Sequence, residues 1–148
     1  MNRKALGALS AVPGVYSLLA FVTARRAVVR GRSMIPTLVP GERVLFDRLA
    51  YELRRPRRSE VVLAAHPARP GVRLIKRLAA LPGDMIEIDR ASRQLGPDQY
   101  WLLGDACAES TDSRQLGPVR RRDILARAWI AYWPPERFRT IGSRRGAS

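Results

Sequence analysis

Arg73-Leu74-Ile75-Lys76-Arg77-Leu78-Ala79-Ala80-Leu81-Pro82-Gly83-Asp84 decides how this chain is read. An aliphatic-rich run enters a Pro-Gly pair, the punctuation of a strand that ends in a tight reversal. A strand sends alternate side chains to opposite faces, so Leu74, Lys76 and Leu78 share one face while Ile75 and Arg77 take the other. Lys76 is thereby set among leucines. Apolar surroundings strip an ammonium of hydration, favour its neutral form and make the amine available as a base. The alternative is an edge-strand lysine with its head in water.

Composition draws further attention to this position. The 148 residues include 27 basic side chains and a net charge of +14, yet only Lys4 and Lys76 are lysine. Arginine cannot give up its proton, so a lysine among arginines marks a candidate site for amine chemistry. A general coding preference for arginine explains the same count with no chemistry at all. The charge suits an acidic neighbour, either nucleic acid or an anionic membrane face. No zinc-finger spacing or aromatic-interleaved basic motif accompanies the arginines, so no specific nucleic-acid partner is expected. A hydrophobic content of 46% is enough for one packed domain and one appendage.

Cys107 is the only cysteine and His66 the only histidine, which excludes an internal disulfide and a cysteine-rich metal site. No metal or cofactor is expected. His66 falls in Ala64-Ala65-His66-Pro67-Ala68-Arg69-Pro70-Gly71, a loop composition and a poor seat for the positioned base of a Ser-His-Asp triad.

Working outward, residues 5–24 carry no charge. A helix of that length matches a bilayer core of about 30 Å, although Pro13 and several small polar residues weaken the stretch. Three readings compete: a membrane anchor, a cleavable signal peptide ending near Val22-Thr23-Ala24, and a peripheral or packed helix. Arg3 and Lys4 precede the stretch and Arg25, Arg26, Arg30 and Arg32 follow it, so flanking charge sets no orientation. Beyond it, short apolar runs at 27–30, 43–47, 60–64, 73–79, 85–88, 99–103 and 124–132 are split by Pro-Gly and Gly-Pro turns. The expected fold is mainly β, a compact antiparallel sheet or barrel-like domain over residues 25–133 with an N-terminal helix over 1–24. Residues 49–53 read as a helical turn or an irregular crossing, and the Arg- and Ser-rich tail from 134 to 148 as a fraying end. The hexapeptide Ser92-Arg93-Gln94-Leu95-Gly96-Pro97 recurs as residues 113–118, which reads as shared turn chemistry and not as a repeat architecture.

The partner for Lys76 lies in Gly31-Arg32-Ser33-Met34-Ile35-Pro36-Thr37-Leu38. A serine hydroxyl becomes a nucleophile when a neighbouring base takes its proton, and a neutral lysine can be that base. Pro36 fixes its own φ and holds Ile35 extended, so the backbone after Ser33 is stiff and can offer the Ser33 N–H to an oxyanion.

This segment, followed by Pro40-Gly41-Glu42, resembles the Ser-Met-x-Pro-Thr-Leu box of type I signal peptidases. Lys76-Arg77 through Pro82-Gly83-Asp84 is similar to their Lys-Arg-x-x-x-x-Pro-Gly-Asp box. Leu103-Gly104-Asp105, Ser110-Thr111-Asp112-Ser113-Arg114 and Gly117-Pro118-Val119 resemble the third box. The resemblance implies that Ser33 is the nucleophile, Lys76 the general base and Ser110 the hydroxyl that orients the amine. It implies a structural ionic cluster of Arg77, Asp112 and Arg114. It further implies a serine endopeptidase that removes signal peptides from exported proteins at a membrane surface, anchored by a single span, with its catalytic domain on the extracytoplasmic side. Protein substrates bearing signal peptides and membrane lipid are the expected partners. Two departures stand out: Ala106-Cys107 where many members have Asn-Arg, and Gly31 where some have a hydroxyl. The alternatives are the related proteases that mature nickel-type superoxide dismutase, and a non-catalytic basic module that binds membrane or nucleic acid.

Overall fold

The structure is a computed structural model, and it describes residues 13–142. Helix α1 spans Pro13–Thr23 and leads directly into strand β1, Arg25–Val28. Then come β2 (Arg43–Asp47), the short helix α2 (Ala50–Leu53), β3 (Val61–Ala65), β4 (Arg73–Ala80), β5 (Met85–Ile88), β6 (Ala91–Gln94) and β7 (Gln99–Leu103). Helix α3 (Ser113–Leu116), β8 (Val119–Arg120), β9 (Ile124–Trp133) and β10 (Arg139–Thr140) complete the described chain. The architecture is mainly β, in keeping with the alternation of short apolar runs and turns.

Among the described residues, one eight-stranded sheet runs β1-β2-β9-β3-β4-β7-β8, and β10 joins it on β9. Its pairings are antiparallel. The ten-residue β9 is the spine: one edge takes β2, the other takes β3 and then β10. Register shifts interrupt β2–β9, β3–β9 and β4–β7. Such irregularities increase local twist and let a sheet wrap.

Alternation along the strands feeds a core on each face. Val61 and Leu63 point into a cluster with Val29, Met34, Leu38, Val44 and Phe46. Val62 and Ala64 point the other way, toward Tyr51, Leu78, Tyr100, Leu102 and Ile124. A third cluster of Ala80, Ile86, Leu95 and Trp101 seats the β5–β6 hairpin. In β4, Lys76, Leu78 and Ala80 are the buried positions, the face the period-two reading assigned to Lys76.

Some boundaries differ from expectation. The first strand begins at Arg25, not at 27, because its partners run from Phe46 back to Arg43. Fraying from residue 134 is not seen through residue 142: Arg139 pairs with Ala131, and Arg137 and Arg139 both reach the buried carboxylate of Glu42. Residues 13–23 of the uncharged stretch are helical, with the Tyr16 hydroxyl donating to Asp47 at 2.5 Å. Residues 5–12 lie outside the described residues. No helix among the described residues is long and apolar enough to cross a membrane.

Candidate active site

Ser33 sits on the loop between β1 and β2. The neck of that loop is closed by Val29 N–H to Glu42 O at 2.8 Å and Gly41 N–H to Val29 O at 2.9 Å. Met34 and Leu38, 2% and 0% exposed, plug the loop into the core. Leu38 N–H donates to Met34 O, and the Ile35–Pro36 peptide is cis. Two arginines brace the far side: Arg77 donates to the Thr37 hydroxyl at 3.0 Å and Arg139 to the Thr37 carbonyl at 2.6 Å. Ser33 itself is held through its carbonyl, which accepts from Ala106 N–H at 2.9 Å. Apolar anchors and charged braces together make the loop that carries Ser33 part of the scaffold.

Lys76 is 4% exposed, opposite Val62 on β3. Its Nζ donates to Ser110 Oγ at 3.0 Å, and it makes no ion pair among the described residues. Burial pushes the amine below its usual value, more than Asp112 pushes it back up, and Arg114 adds a further downward push. A hydroxyl partner orients the amine without holding a positive charge as a carboxylate contact would.

The hydroxyl that receives Lys76 is itself fixed. Ser110 is 6% exposed and hydrogen-bonds Asp112. Asp112 also accepts from Gly104 N–H at 2.9 Å and from the Arg114 guanidinium at 2.9 and 2.8 Å. Burial alone would raise the Asp112 carboxyl, but these donors outweigh it and hold it at about 2. A chain of contacts thus runs Arg114, Asp112, Ser110, Lys76.

Arg77 stands apart from that chain. The three-member cluster of Arg77, Asp112 and Arg114 divides in the structure into two pairs. Arg77 meets Asp105 through two bonds of 2.7 Å and donates to Ser59 O and Thr37, whereas Arg114 meets Asp112. The cause is alternation on β4: Arg77 faces away from Lys76, toward Asp105 and the Ser33 loop.

Two residues of this site carry roles that motif reading did not assign. Asp105 is the counter-ion of Arg77, and the adjacency Gly104-Asp105 was the available signal. Gly104 is the meeting point. A Cβ built there would lie 2.2 Å from Ser110 Oγ and 2.7 Å from Ser33 O, so the serine loop and the lysine-orienting hydroxyl close on a position where only hydrogen fits. Cys107 is exposed and, with Arg32, Ile35, Ala106 and Ala108, lines a shallow apolar pocket beside the Ser33 loop.

The structure thus sets Lys76 against Ser110 and brings Ser110 and the Ser33 carbonyl together at Gly104. The family model for signal peptidase, peptidase S26, matches residues 3–95 and 89–133. The chain belongs to the signal peptidase family, S26. It is 34% identical over 122 residues to the mitochondrial ATP-independent inner membrane protease subunit 1a of Arabidopsis thaliana, covering 76% of this chain and 73% of that one. Against the mitochondrial inner membrane protease subunit 1 of Schizosaccharomyces pombe the identity is 37% over 110 residues, 70% of each chain. Against the signal peptidase I of Leptolyngbya laminosa it is 27% over 145 residues, 77% of this chain and 71% of that one. The S26 assignment makes the protein a serine endopeptidase, and two of these relatives are mitochondrial inner membrane proteases.

Proposed function

We propose that this S26 peptidase removes N-terminal signal peptides from exported proteins at a membrane surface, with Ser33 as nucleophile and Lys76 as general base. The observation that carries the reading is Lys76 itself: a buried amine held at 3.0 Å by a hydroxyl, with its proton affinity lowered by burial. In the first step Ser33 Oγ attacks the scissile carbonyl carbon while its proton passes to Lys76 Nζ. The oxyanion that forms is met by the Ser33 N–H on its stiffened loop. Lys76 then returns the proton to the leaving amine, the C–N bond breaks and an acyl-enzyme ester remains. Water attacks that ester with Lys76 again as base, and Ser33 is regenerated. Ser110 keeps the amine aimed throughout, and Gly104 leaves the space in which hydroxyl and loop converge.

Residues 5–24 serve in this reading as a single-pass anchor with the catalytic domain on the extracytoplasmic side. The apolar outer surface of α1, where Leu18, Phe21 and Val22 are exposed, supports a membrane-facing position. The test is cleavage of a signal-peptide substrate in detergent by Lys76→Arg, which keeps the charge and removes the base. Near-parental turnover would defeat the mechanism. Mass spectrometry of N-termini in cells depleted of the protein tests the substrate class: many uncleaved exported proteins support a general signal peptidase, whereas one unprocessed enzyme supports a dedicated maturase.

A further inference from the structure

At the opposite end of β1 from Ser33 lies a group of arginines that catalysis does not use. Arg25, Arg48, Arg121 and Arg122 line a cavity of about 300 Å³ with Tyr51 and Glu52. Four guanidinium groups face one carboxylate there. Arg121 is tied into the fold: it donates to Tyr51 O and Ile124 O and stacks over the Tyr51 ring at 5.3 Å. Arg25, Arg48 and Arg122 make no ion pair among the described residues.

Arg25 is the most telling of these. Its Nε is buried and has no hydrogen-bond partner among the described residues. The other such nitrogen, on Arg127, belongs to a guanidinium that reaches Asp47. A buried charged N–H without an acceptor is costly. Burial and the nearby charges of Arg48 and Arg73 all work against the Arg25 cation. An anion with several acceptor oxygens would offset the charge that Arg25, Arg48 and Arg122 crowd around the cavity, and arginine forks match phosphate best.

Position selects the source of that phosphate. Arg25 follows the end of α1 by two residues, and the last turns of α1 expose Leu18, Phe21 and Val22. On the other face of β1, Arg26 borders an apolar groove formed by Phe21, Leu45, Ile130, Tyr132 and Phe138. A small cationic cavity beside exposed apolar surface fits a molecule with a charged head and a hydrocarbon tail. The geometry points to a binding site for the phosphate of an anionic phospholipid at Arg25, Arg48 and Arg122, which fixes the catalytic domain at the membrane surface. A net-negative headgroup fits better than a zwitterionic one, whose amine would meet the same arginines. Only the source of the phosphate depends on the membrane placement proposed above; the anion site stands on the cavity itself.

The experiment is native mass spectrometry of the full chain released from micelles containing equal phosphatidylglycerol and phosphatidylcholine. The parent is expected to retain one phosphatidylglycerol with a preference of at least about tenfold over phosphatidylcholine. That preference should vanish in Arg25→Gln/Arg48→Gln/Arg122→Gln and persist in Arg93→Gln, an exposed arginine elsewhere. Equal retention of the two lipids by the parent overturns the proposal, as does undiminished selectivity in a triple variant whose circular dichroism matches the parent. A melting temperature raised by inorganic phosphate with no phosphatidylglycerol retained overturns the lipid source. Running the same measurement on Ser33→Ala separates this site from the protease reading: lipid selectivity should survive when cleavage does not.

Discussion

Ser92-Arg93-Gln94-Leu95-Gly96-Pro97 and Ser113-Arg114-Gln115-Leu116-Gly117-Pro118 are the same six residues in two conformations. The first begins within β6, exposed from Ser92 to Gln94, and buries only Leu95 at 2%. The second begins as helix α3 and buries Ser113 at 1%, where its Oγ accepts from Leu102 N–H at 2.9 Å. The residue in front makes the difference. Ala91 has no side chain that can cap a helix, and it closes a hairpin whose two turn residues, Asp89 and Arg90, have φ of 50° and 66°. That turn pairs Ala91 with Ile88 and commits Ser92, Arg93 and Gln94 to a strand. Asp112 instead accepts from Arg114 N–H at 3.2 Å while its own N–H donates to Gln115 Oε1 at 3.0 Å, a reciprocal cap that starts a helix. The same aspartate holds Ser110 and Gly104. Local conformation and active-site geometry therefore depend on one side chain, and the first hexapeptide lacks its equivalent.

The largest expected effect lies at the end of the chain of contacts that the second hexapeptide supports. Lys76→Arg should lower the cleavage rate by roughly 10³-fold or more, since a permanently charged guanidinium cannot act as a base. Parental activity should rise with pH through a value below the ordinary lysine range, because burial lowers the Lys76 amine. Stability carries the same sign: where the unfolded chain holds the proton and the native chain has lost it, raising pH stabilises the fold. Lys76→Met should therefore melt higher than the parent at neutral pH and show a flatter alkaline rise. Full parental activity at pH 5 would contradict the assignment.

Next comes Gly104→Ala. The added methyl would occupy space within 2.2 Å of Ser110 Oγ and 2.7 Å of Ser33 O, so one of them must move. Displacement on that scale should cost roughly 10²-fold in kcat. Gly96 of the first hexapeptide offers the contrast: a methyl there meets only the flexible end of Gln99 at 3.3 Å, and Gly96→Ala should leave activity unchanged. Equal kinetic loss from both substitutions would remove the distinction between the two regions.

The setting of Lys76 was more legible in sequence than the path of the chain around it. Lys76 stood out as a lysine among arginines in an apolar strand, whereas Ser33 and Ser110 were singled out through the family boxes that contain them, and the structure brings Lys76 and Ser110 into contact. Lys76 was placed on the right face by alternation alone. The partner of Arg77 was not legible, since pairing with Asp105 instead of Asp112 depends on which face of β4 looks toward the Ser33 loop. Strand β6 was hidden because Asp89-Arg90 is not an Asn-Gly or Asp-Gly turn signal, and its exposed face offers no apolar alternation. The packing of residues 134–142 was hidden because Arg137 and Arg139 read as tail charges until the fold brings Glu42 between them.

Asp112→Ala removes the side chain on which the two hexapeptides differ. Loss of the cap, with Gly104 N–H and Arg114 left unpaired, should cost about 2–4 kcal/mol and lower the melting temperature. The milder Asp112→Asn should reveal the acid limb. A carboxyl held at about 2 in the native state and 3.8 otherwise contributes stability above pH 4 that disappears as pH falls toward 2, worth about 2 kcal/mol. Glu42, also held at about 2 by Arg139 and Arg137 against the upward pull of burial, keeps its share of that limb in the variant. An acid unfolding curve identical to the parent's would show that Asp112 is not the linchpin.

The smallest effects belong to the first hexapeptide. Ser92 and Arg93 are exposed on β6. Ser92→Ala and Arg93→Ala should each fall within about 0.5 kcal/mol of the parent, with unchanged cleavage. The same substitutions in the second copy should not be silent: Ser113→Ala leaves the buried Leu102 N–H without its acceptor, and Arg114→Ala exposes Asp112 to loss of its strongest donor. Ala91→Asp supplies the first copy with the capping side chain it lacks. If that side chain were sufficient, it would pull residues 92–95 toward helix; the β5–β6 pairing and the burial of Leu95 oppose this. Retained parental circular dichroism with intact activity would mean that hairpin register and core contact outweigh a single cap. A gain in helical signal would mean that the cap alone selects between the two conformations.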